Sequence, residues 1–280
     1  MINGFNIYAF ADEASGQIDK QIAAVQRNGL NGLEIRGVDG QNIADITVEK
    51  AREVRQKLDD AGLTVWSMGS PIGKIGIEGD GFAAHLDKLR HVLTLADVLG
   101  AKNLRMFSFF VPEGKAAKYR GKVMDQVGQM VDVARGSGIV LCHENEKGIY
   151  GDMADRCHEL LTAFPELAGV FDPANFIQCG QDTMEAWNLL KSRIKYLHIK
   201  DALPSGKVVP AGKGVGNVRY IVNDFYNHGG RAVSIEPHLS VFDGLKDLEQ
   251  AGNRTEVDEF SYPSSDAAFD AACDALKVML

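Results

Sequence analysis

The sequence predicts a single (β/α)8 barrel, because short apolar runs alternate with longer amphipathic stretches along the whole chain. Eight β-like runs alternate with eight helical stretches over 280 residues, at the spacing expected of repeated βα units. No linker or shift in composition divides the chain, so we expect one domain over residues 1–280. A doubly wound open sheet is the alternative. The barrel is preferred because the count closes at eight and because polar residues gather where the active sites of barrels lie.

The predicted strands are short apolar runs, and several of them finish on a charged residue or a histidine. Ile194–Lys200 is typical, with apolar residues at four positions and with His198 and Lys200 near its end. Such runs, bounded by turn residues, indicate buried strands. In chain order the predicted strands are Phe5–Phe10, Gly32–Ile35, Leu63–Met68, Asn103–Phe107, Ile139–Glu144, Gly169–Asp172, Ile194–Lys200 and Ala232–Glu236.

The predicted helices show apolar residues at the helical period and recognisable ends. Thr47–Ala61 repeats apolar residues at helical spacing and is followed by Gly62, a common helix stop. Asp182, with Glu185 three residues later, begins another helix in the manner of a capping box. The remaining predicted helices are Ile18–Asn28, Phe82–Leu99, Tyr119–Arg135, Met153–Phe164, Val218–His228 and Ser265–Val278.

Composition and charge exclude several classes of protein. The formal net charge of −8 disfavours nucleic acid or an anionic membrane as the main partner. The four cysteines form no CxxC pair, so neither a zinc ribbon nor a disulfide framework is indicated. The first residues lack a signal-peptide pattern, and no apolar run is long enough to span a bilayer. We therefore expect a cytoplasmic protein with a small-molecule partner.

Four consecutive predicted strands, the fifth to the eighth, end on a residue that can bind a metal ion: Glu144, Asp172, His198 and Glu236. Charged groups are costly inside a protein unless they are paired or coordinated. The carboxyl ends of neighbouring strands are adjacent on a barrel, so we expect these four side chains to converge. Glu146 is the rival to Glu144 at the end of the fifth strand.

Three carboxylates and one imidazole suit a single divalent cation. The oxygen-rich set favours Mn²⁺ or Mg²⁺, with Co²⁺ and Zn²⁺ as alternatives, over a structural zinc site built from cysteine and histidine. Glu34 and Arg36 close the second strand and Arg105 lies in the fourth. These three are candidates to contact a substrate across the barrel mouth, or else to pair with each other or with helix ends.

Several motifs occur in an order that resembles the xylose isomerase-like barrels of the sugar phosphate isomerase/epimerase superfamily. They are CHEN (142–145), FDPANF (171–176), LHIKD (197–201), SIEPH (234–238) and GLNGLEIR (29–36). Members of this superfamily include ketose 3-epimerases, hydroxypyruvate isomerase, inosose dehydratase and DNA repair enzymes of the endonuclease IV type. The resemblance implies that Glu144, Asp172, His198 and Glu236 hold the metal and that the two glutamates double as acid and base.

The implied activity is that of a metal-dependent isomerase or epimerase of a sugar, a sugar phosphate or a related polyol ketone. Removing the proton next to a ketone gives an enediolate, whose charge a bound divalent ion stabilises. One glutamate removes the proton on one face, and the other returns a proton on the opposite face. The sequence does not say which of Glu144 and Glu236 is the base, because that depends on the configuration of the substrate.

Three departures from the family pattern bear on substrate contacts. Asn175 stands where sugar epimerases often have a histidine, and an amide can hydrogen-bond a hydroxyl without carrying a proton. The arginine beyond the histidine of the seventh strand has no counterpart, so Lys200 and Asp201 are expected to contact substrate oxygens in its place. Tyr150 stands where ketose epimerases have a further glutamate.

Other functions remain open at this stage. A lyase of the inosose dehydratase type uses the same proton abstraction but then expels a hydroxyl group. A DNA repair enzyme is a weaker alternative, because that chemistry needs three zinc ions and more histidines, and the chain is acidic. A sugar-binding barrel without catalysis is the remaining alternative.

Two segments have no assigned role in this scheme. Gly212–Gly216 precedes a predicted helix, contains no P-loop signature, and is either a flexible turn or a phosphate site built from backbone N–H groups. Ser240–Tyr262 is long for a connection, which suggests a lid or a subunit contact. Homo-oligomers are common among such barrels, but nothing in the sequence fixes the copy number.

Overall fold

Eight parallel strands form a closed barrel in the computed structural model, which describes residues 4–240 and 262–280. The strands are β1 Asn6–Ala9, β2 Gly32–Ile35, β3 Thr64–Met68, β4 Asn103–Met106, β5 Val140–Glu144, β6 Ala168–Phe171, β7 Ile194–Ile199 and β8 Ala232–Ile235. Strand β1 pairs with β8 on one side and with β2 on the other, which closes the cylinder. The predicted (β/α)8 fold is therefore confirmed.

Helices surround the barrel, and most follow the predicted boundaries to within a few residues. They are α1 Ile18–Arg27, α2 Val48–Asp60, α3 Phe82–Leu99, α4 Ala116–Ala134, α5 Ala154–Ala163, α6 Pro173–Gln178, α7 Thr183–Leu190, α8 Val218–Asn227 and α9 Ser265–Met279. Asp182 caps α7 as predicted, since its side chain accepts hydrogen bonds from the backbone N–H groups of Met184 and Glu185. Within the described residues, no helix is long and apolar enough to cross a membrane.

Three short elements were not predicted. Helix α6 begins directly after β6, with Pro173 at its first position and with the Asp172 carboxylate accepting from the Asn175 N–H at 2.9 Å. Two small antiparallel sheets join Gly37–Val38 to Gln41–Asn42 and Asp201–Ala202 to Val208–Val209. Elements of two to six residues are too short to show a period, although the Asp-Pro pair is a helix-start signal. The lid or subunit contact expected within Ser240–Tyr262 falls on residues 241–261, outside the described residues.

Alternation along the strands decides which side chains enter the barrel. Leu197 and Ile199 belong to the large core between strands and helices, whereas Tyr196 belongs to a separate cluster with Tyr8 and Cys142. Successive side chains of a strand point to opposite faces, so Tyr196 shares its face with the residues two and four positions on. The barrel interior is thus packed with aromatic and small side chains towards the amino ends of the strands, and with charged groups towards their carboxyl ends.

Candidate active site

The four predicted ligand residues converge at the carboxyl ends of β5 to β8. Each of Glu144, Asp172, His198 and Glu236 offers one ligand atom, and these atoms all lie within 4.8 Å of one another. All four side chains are buried. Their strands are neighbours in the barrel, so the fold itself brings the four side chains together. Glu146, the rival of Glu144, instead pairs with Lys74 at 3.0 Å and lies outside this cluster.

His198 is held between two carboxylates, one on each side of its ring. Its Nδ1 lies 2.9 Å from Glu144 Oε1, inside the cluster, and its Nε2 lies 3.0 Å from Glu34 Oε2. The Tyr196 hydroxyl donates to the other oxygen of Glu34 at 2.6 Å. Burial acts to lower the pKa of His198, but the carboxylates of Glu144 and Glu34 raise it well above its usual value. This arrangement directs Nδ1 towards the cluster and gives Nε2 a partner that fixes the ring.

Three cationic side chains reach the same cluster. The Lys200 ammonium lies 2.9 Å from Asp172 Oδ2 and 2.8 Å from Glu236 Oε2. Arg105 approaches Glu144 at 3.3 Å, and Arg36 approaches Glu236 at 3.3 Å.

The two glutamates of the cluster sit in different electrostatic surroundings. Burial raises the pKa of Glu144, and His198 and Arg105 offset that effect in part. Burial acts in the same direction on Glu236, but Lys200 and His238 hold the pKa of Glu236 well below its usual value. The two carboxyl groups therefore differ in their readiness to carry a proton.

The donor set fits a divalent cation. Three carboxylates with one imidazole are ligands that Mn²⁺ and Mg²⁺ accept in proteins. Two oxygens of the cluster, Glu144 Oε2 and Asp172 Oδ2, are buried and accept no hydrogen bond from the described part of the chain. Arg105 attracts the Glu144 oxygen and Lys200 attracts the Asp172 oxygen by charge, but neither contact has the geometry of a hydrogen bond. Buried oxygens in this condition retain lone pairs that a cation can use.

Comparison with protein-family models gives one match, to the model described as xylose isomerase-like TIM barrel, over residues 22–251. The chain belongs to the xylose isomerase-like TIM barrel family. The predicted resemblance is thereby confirmed. None of the curated protein sequences compared with the chain matches it.

Solved structures of this xylose isomerase-like fold superpose over almost the whole chain at low sequence identity. A probable 3-DHS dehydratase, AsbF, from Bacillus anthracis has a TM-score of 0.73 at 16% identity, covering 97% of this chain and 98% of its own. D-psicose 3-epimerase in the presence of D-fructose has a TM-score of 0.71 at 17% identity, covering 97% and 96%. A xylose isomerase-like protein from Mycobacterium smegmatis in complex with magnesium has a TM-score of 0.70 at 16% identity, covering 98% and 96%. Identities this low establish the shared fold.

The expected substrate contacts of this xylose isomerase-like barrel fall into two groups. Asn175, Lys200, Arg36 and Arg105 all touch a residue of the cluster, Asn175 through a hydrogen bond from its amide to Glu144 Oε1 at 3.3 Å. Glu34 also contacts a residue of the cluster, but on the Nε2 side of the His198 ring, opposite the Nδ1 that bonds Glu144.

Asp201 accepts hydrogen bonds from the backbone of its own loop. Direct contact of Glu34 or Asp201 with substrate stays a prediction, and their hydrogen bonds disfavour it.

Two buried residues at the mouth were not assigned from the sequence. Glu13, which follows β1, accepts from the backbone N–H of His238 at 2.6 Å and pairs with Arg36 at 3.0 Å. Burial raises the pKa of the Glu13 carboxyl to about 8. Glu13, Glu236 and His238 form a second group whose ligand atoms lie within 4.8 Å, but Arg36 already pairs with both carboxylates there. The signal in the sequence was the position of Glu13 after a strand, at the same barrel end as the cluster.

Proposed function

We propose that this barrel is a divalent-metal-dependent isomerase or epimerase that acts on a sugar or a related polyol ketone. The observation that carries the proposal is the convergence of Glu144, Asp172, His198 and Glu236, with ligand atoms within 4.8 Å, at the end of the barrel where active sites lie. Buried titratable groups that converge on one point are the pattern expected of a catalytic centre.

Glu144 and Glu236 are proposed to move the proton. A divalent cation held by the four residues would stabilise the negative charge that develops on the ketone oxygen when the neighbouring proton leaves. One glutamate takes that proton, and the other delivers one to the opposite face of the enediolate. Arg105 and Arg36 lie against Glu144 and Glu236 respectively and restrict the orientation of each carboxylate.

Lys200 and Asn175 are proposed to contact substrate oxygens. Lys200 spans Asp172 and Glu236, and the Asn175 amide lies on Glu144, so both present donors beside the reacting groups. The fold neighbours support a carbohydrate substrate, since one is a D-psicose 3-epimerase crystallised with D-fructose. Another contains magnesium, which supports the choice of a hard divalent ion.

Exchange of the substrate's α-proton with solvent tests the proposal. Protein loaded with Mn²⁺ or Mg²⁺ is incubated in D₂O with ketoses and inososes, and deuterium incorporation is followed by NMR. Glu144→Gln and Glu236→Gln are each expected to lower turnover by roughly 10²- to 10⁴-fold, the usual contribution of general acid–base catalysis. Glu49→Gln, a change at an exposed helical glutamate, serves as the matched control. Near-full activity of Glu236→Gln on a substrate that the wild type turns over would refute the role of Glu236.

A dehydratase is the second candidate, favoured by the superposition of the probable 3-DHS dehydratase over 97% of this chain. It would begin with the same proton abstraction and then expel a hydroxyl group β to the carbonyl. The mass of the product separates the two reactions, since dehydration removes one water while isomerisation and epimerisation conserve mass. Deuterium incorporation without loss of water supports the first candidate.

A further inference from the structure

The loop that follows β7 wraps its backbone around one carboxylate. Asp201 Oδ2 accepts from the N–H groups of Gly212 at 2.9 Å and Gly214 at 3.0 Å, while Oδ1 accepts from Gly216 at 2.8 Å. The N–H of Ala202 donates to Oδ1 as well, at 2.9 Å. Converging backbone N–H groups of this kind form an anion-binding nest. Here the anion is a side chain of the protein itself.

The glycines allow this close approach. A Cβ on Gly214 would lie 2.4 Å from Asp201 Oδ1 and 2.2 Å from the carbonyl oxygen of Ala202. A Cβ on Gly216 would lie 2.6 Å from the same Asp201 oxygen. Because even a methyl group does not fit between loop and carboxylate, a second anion cannot enter while Asp201 occupies the nest.

The nest lies at the edge of the candidate active site. A Cβ on Gly216 would also meet Pro173 at 3.1 Å, and Pro173 directly follows Asp172 of the cluster. Lys200, the residue before Asp201, contacts Asp172. In (β/α)8 enzymes a substrate phosphate is frequently held by the loops after strands seven and eight. In this chain four N–H groups of the loop after strand seven, those of Ala202, Gly212, Gly214 and Gly216, already donate to Asp201.

The cationic side chains at the cluster already have carboxylate partners. Lys200 lies between Asp172 and Glu236, Arg105 lies against Glu144, and Arg36 lies against Glu236. A phosphate ester, with up to two negative charges near neutral pH, would have to compete with these carboxylates for the same cations.

We propose that Asp201 takes the place of a substrate phosphate, and that the enzyme therefore selects unphosphorylated polyhydroxy ketones over their phosphate esters. The choice of substrate class rests on the proposed isomerase or epimerase function. The occupation of the nest by Asp201 does not, so the two can be tested separately.

Binding of inorganic phosphate tests the nest without any reference to catalysis. Asp201→Gly empties the nest, and Asp80→Gly, a change at an exposed loop aspartate, is the matched control. Inorganic phosphate or formate, compared with chloride, is expected to raise the Tm of Asp201→Gly by about 2–4 °C, the shift that ~1 kcal/mol gives in a protein of this size. The wild type and the control should show no such shift.

Two results of this experiment would overturn the proposal. The first is saturable phosphate binding by the wild type, measured by calorimetry, because it would reveal another phosphate site. The second is a folded Asp201→Gly protein that gains nothing from phosphate or formate. Should Asp201→Gly fold only when phosphate or formate is present, the nest is supported. If Asp201→Gly folds in no salt, calorimetry of the wild type decides alone: saturable phosphate binding overturns the proposal, and its absence supports it.

Paired substrates test the selectivity. The metal-loaded wild type is assayed for α-proton exchange in D₂O with D-fructose, D-psicose and their 6-phosphates. We expect kcat/KM to be at least ~10-fold higher for each free ketose, since unmatched charge is costly at a buried site. A higher kcat/KM for the phosphate esters would overturn the selectivity. Absence of exchange with all four compounds and with inososes would count against the proposed function, while the phosphate-binding result would still decide whether Asp201 fills the nest.

Discussion

The barrel interior and the shell between strands and helices bury polar groups in two different ways. In the interior, Glu144 and His198 lie 2.9 Å apart within a network of opposite charges. In the shell, the Nε2 of His143, the residue next to Glu144, shares a hydrogen bond with the Ser108 hydroxyl at 2.9 Å. Burial lowers the pKa of His143 to about 3, whereas His198 is shifted in the opposite direction by its carboxylates.

The difference shows what each region is for. A neutral imidazole with one hydrogen bond satisfies the shell at little cost, because no charge is taken out of water. The interior instead concentrates charges whose desolvation is expensive, which is the pattern expected of a functional site. Adjacent residues of β5 therefore serve packing and the candidate site respectively, as the alternation of a strand allows.

Addition and removal of a divalent cation should separate the two regions most clearly. Mn²⁺ at 100 times its Kd is expected to stabilise the wild type by about 2.7 kcal/mol, because a ligand that binds only the folded state shifts unfolding by mass action. EDTA should reverse the gain. The measurement is thermal unfolding followed by calorimetry, with metal content determined in parallel.

One variant in the cluster and one in the shell provide the controls for that experiment. Asp172→Asn should lose most of the metal-dependent stabilisation, whereas His143→Gln in the shell should retain it even if its basal stability is lower. An equal loss in both variants would contradict the division between interior and shell.

Glu34 should influence the metal without contacting it. Glu34→Gln replaces the carboxylate partner of His198 Nε2, and outer partners of metal-binding histidines typically contribute 10- to 100-fold in affinity. We therefore expect the Kd for Mn²⁺ to rise by roughly 10- to 100-fold, or about 1.4–2.7 kcal/mol, as measured by isothermal titration calorimetry.

The test variant for that interpretation is Tyr196→Phe, which removes the hydroxyl that bonds Glu34 but leaves the carboxylate. It should change the metal affinity less than Glu34→Gln does. If Glu34→Gln leaves Mn²⁺ affinity unchanged while abolishing binding of the ketose substrate, Glu34 is a substrate contact after all, as the sequence first indicated.

Lowering the pH should reduce the stability of the folded protein through the buried His85. Burial lowers the pKa of His85 to about 4, and the His85 Nε2 accepts from the Gly73 N–H at 2.7 Å. Above pH ~6.5 this group is neutral in both the folded and unfolded states, so its contribution is fully present. As the pH falls towards 4 the unfolded chain takes up the proton first, and the folded state loses stability.

Between pH 6.5 and 4.5 the free energy of unfolding should fall by about 1–2 kcal/mol less in His85→Gln than in the wild type. The amide oxygen of the introduced glutamine can still accept the hydrogen bond from Gly73. The measurement is urea unfolding at a series of pH values, with His228→Gln at an exposed position as the control. A parallel pH dependence in His85→Gln and wild type would show that the pKa of His85 is the same in the folded and unfolded states, contrary to the shift expected from burial.

The hydrophobic pattern of the sequence was enough to predict the barrel and the approximate boundaries of its strands and main helices, because each kind of element has its own period of apolar residues. The convergence of Glu144, Asp172, His198 and Glu236 also followed from the sequence, since all four stand at strand ends and the barrel makes those ends neighbours. Their roles as ligands and catalysts remain predictions. Short elements such as α6 escaped because six residues show no period.

Tertiary structure alone decided which polar residues face one another across the barrel. Glu34 meets His198 although they are 164 residues apart, because β2 and β7 lie across the interior from each other. Asp201 lies at the centre of its own loop, a position set by the backbone path of Gly212–Gly216. Sequence periodicity specifies which face of an element a side chain occupies, whereas the partner it meets depends on chain closure over long separations, which no local pattern encodes.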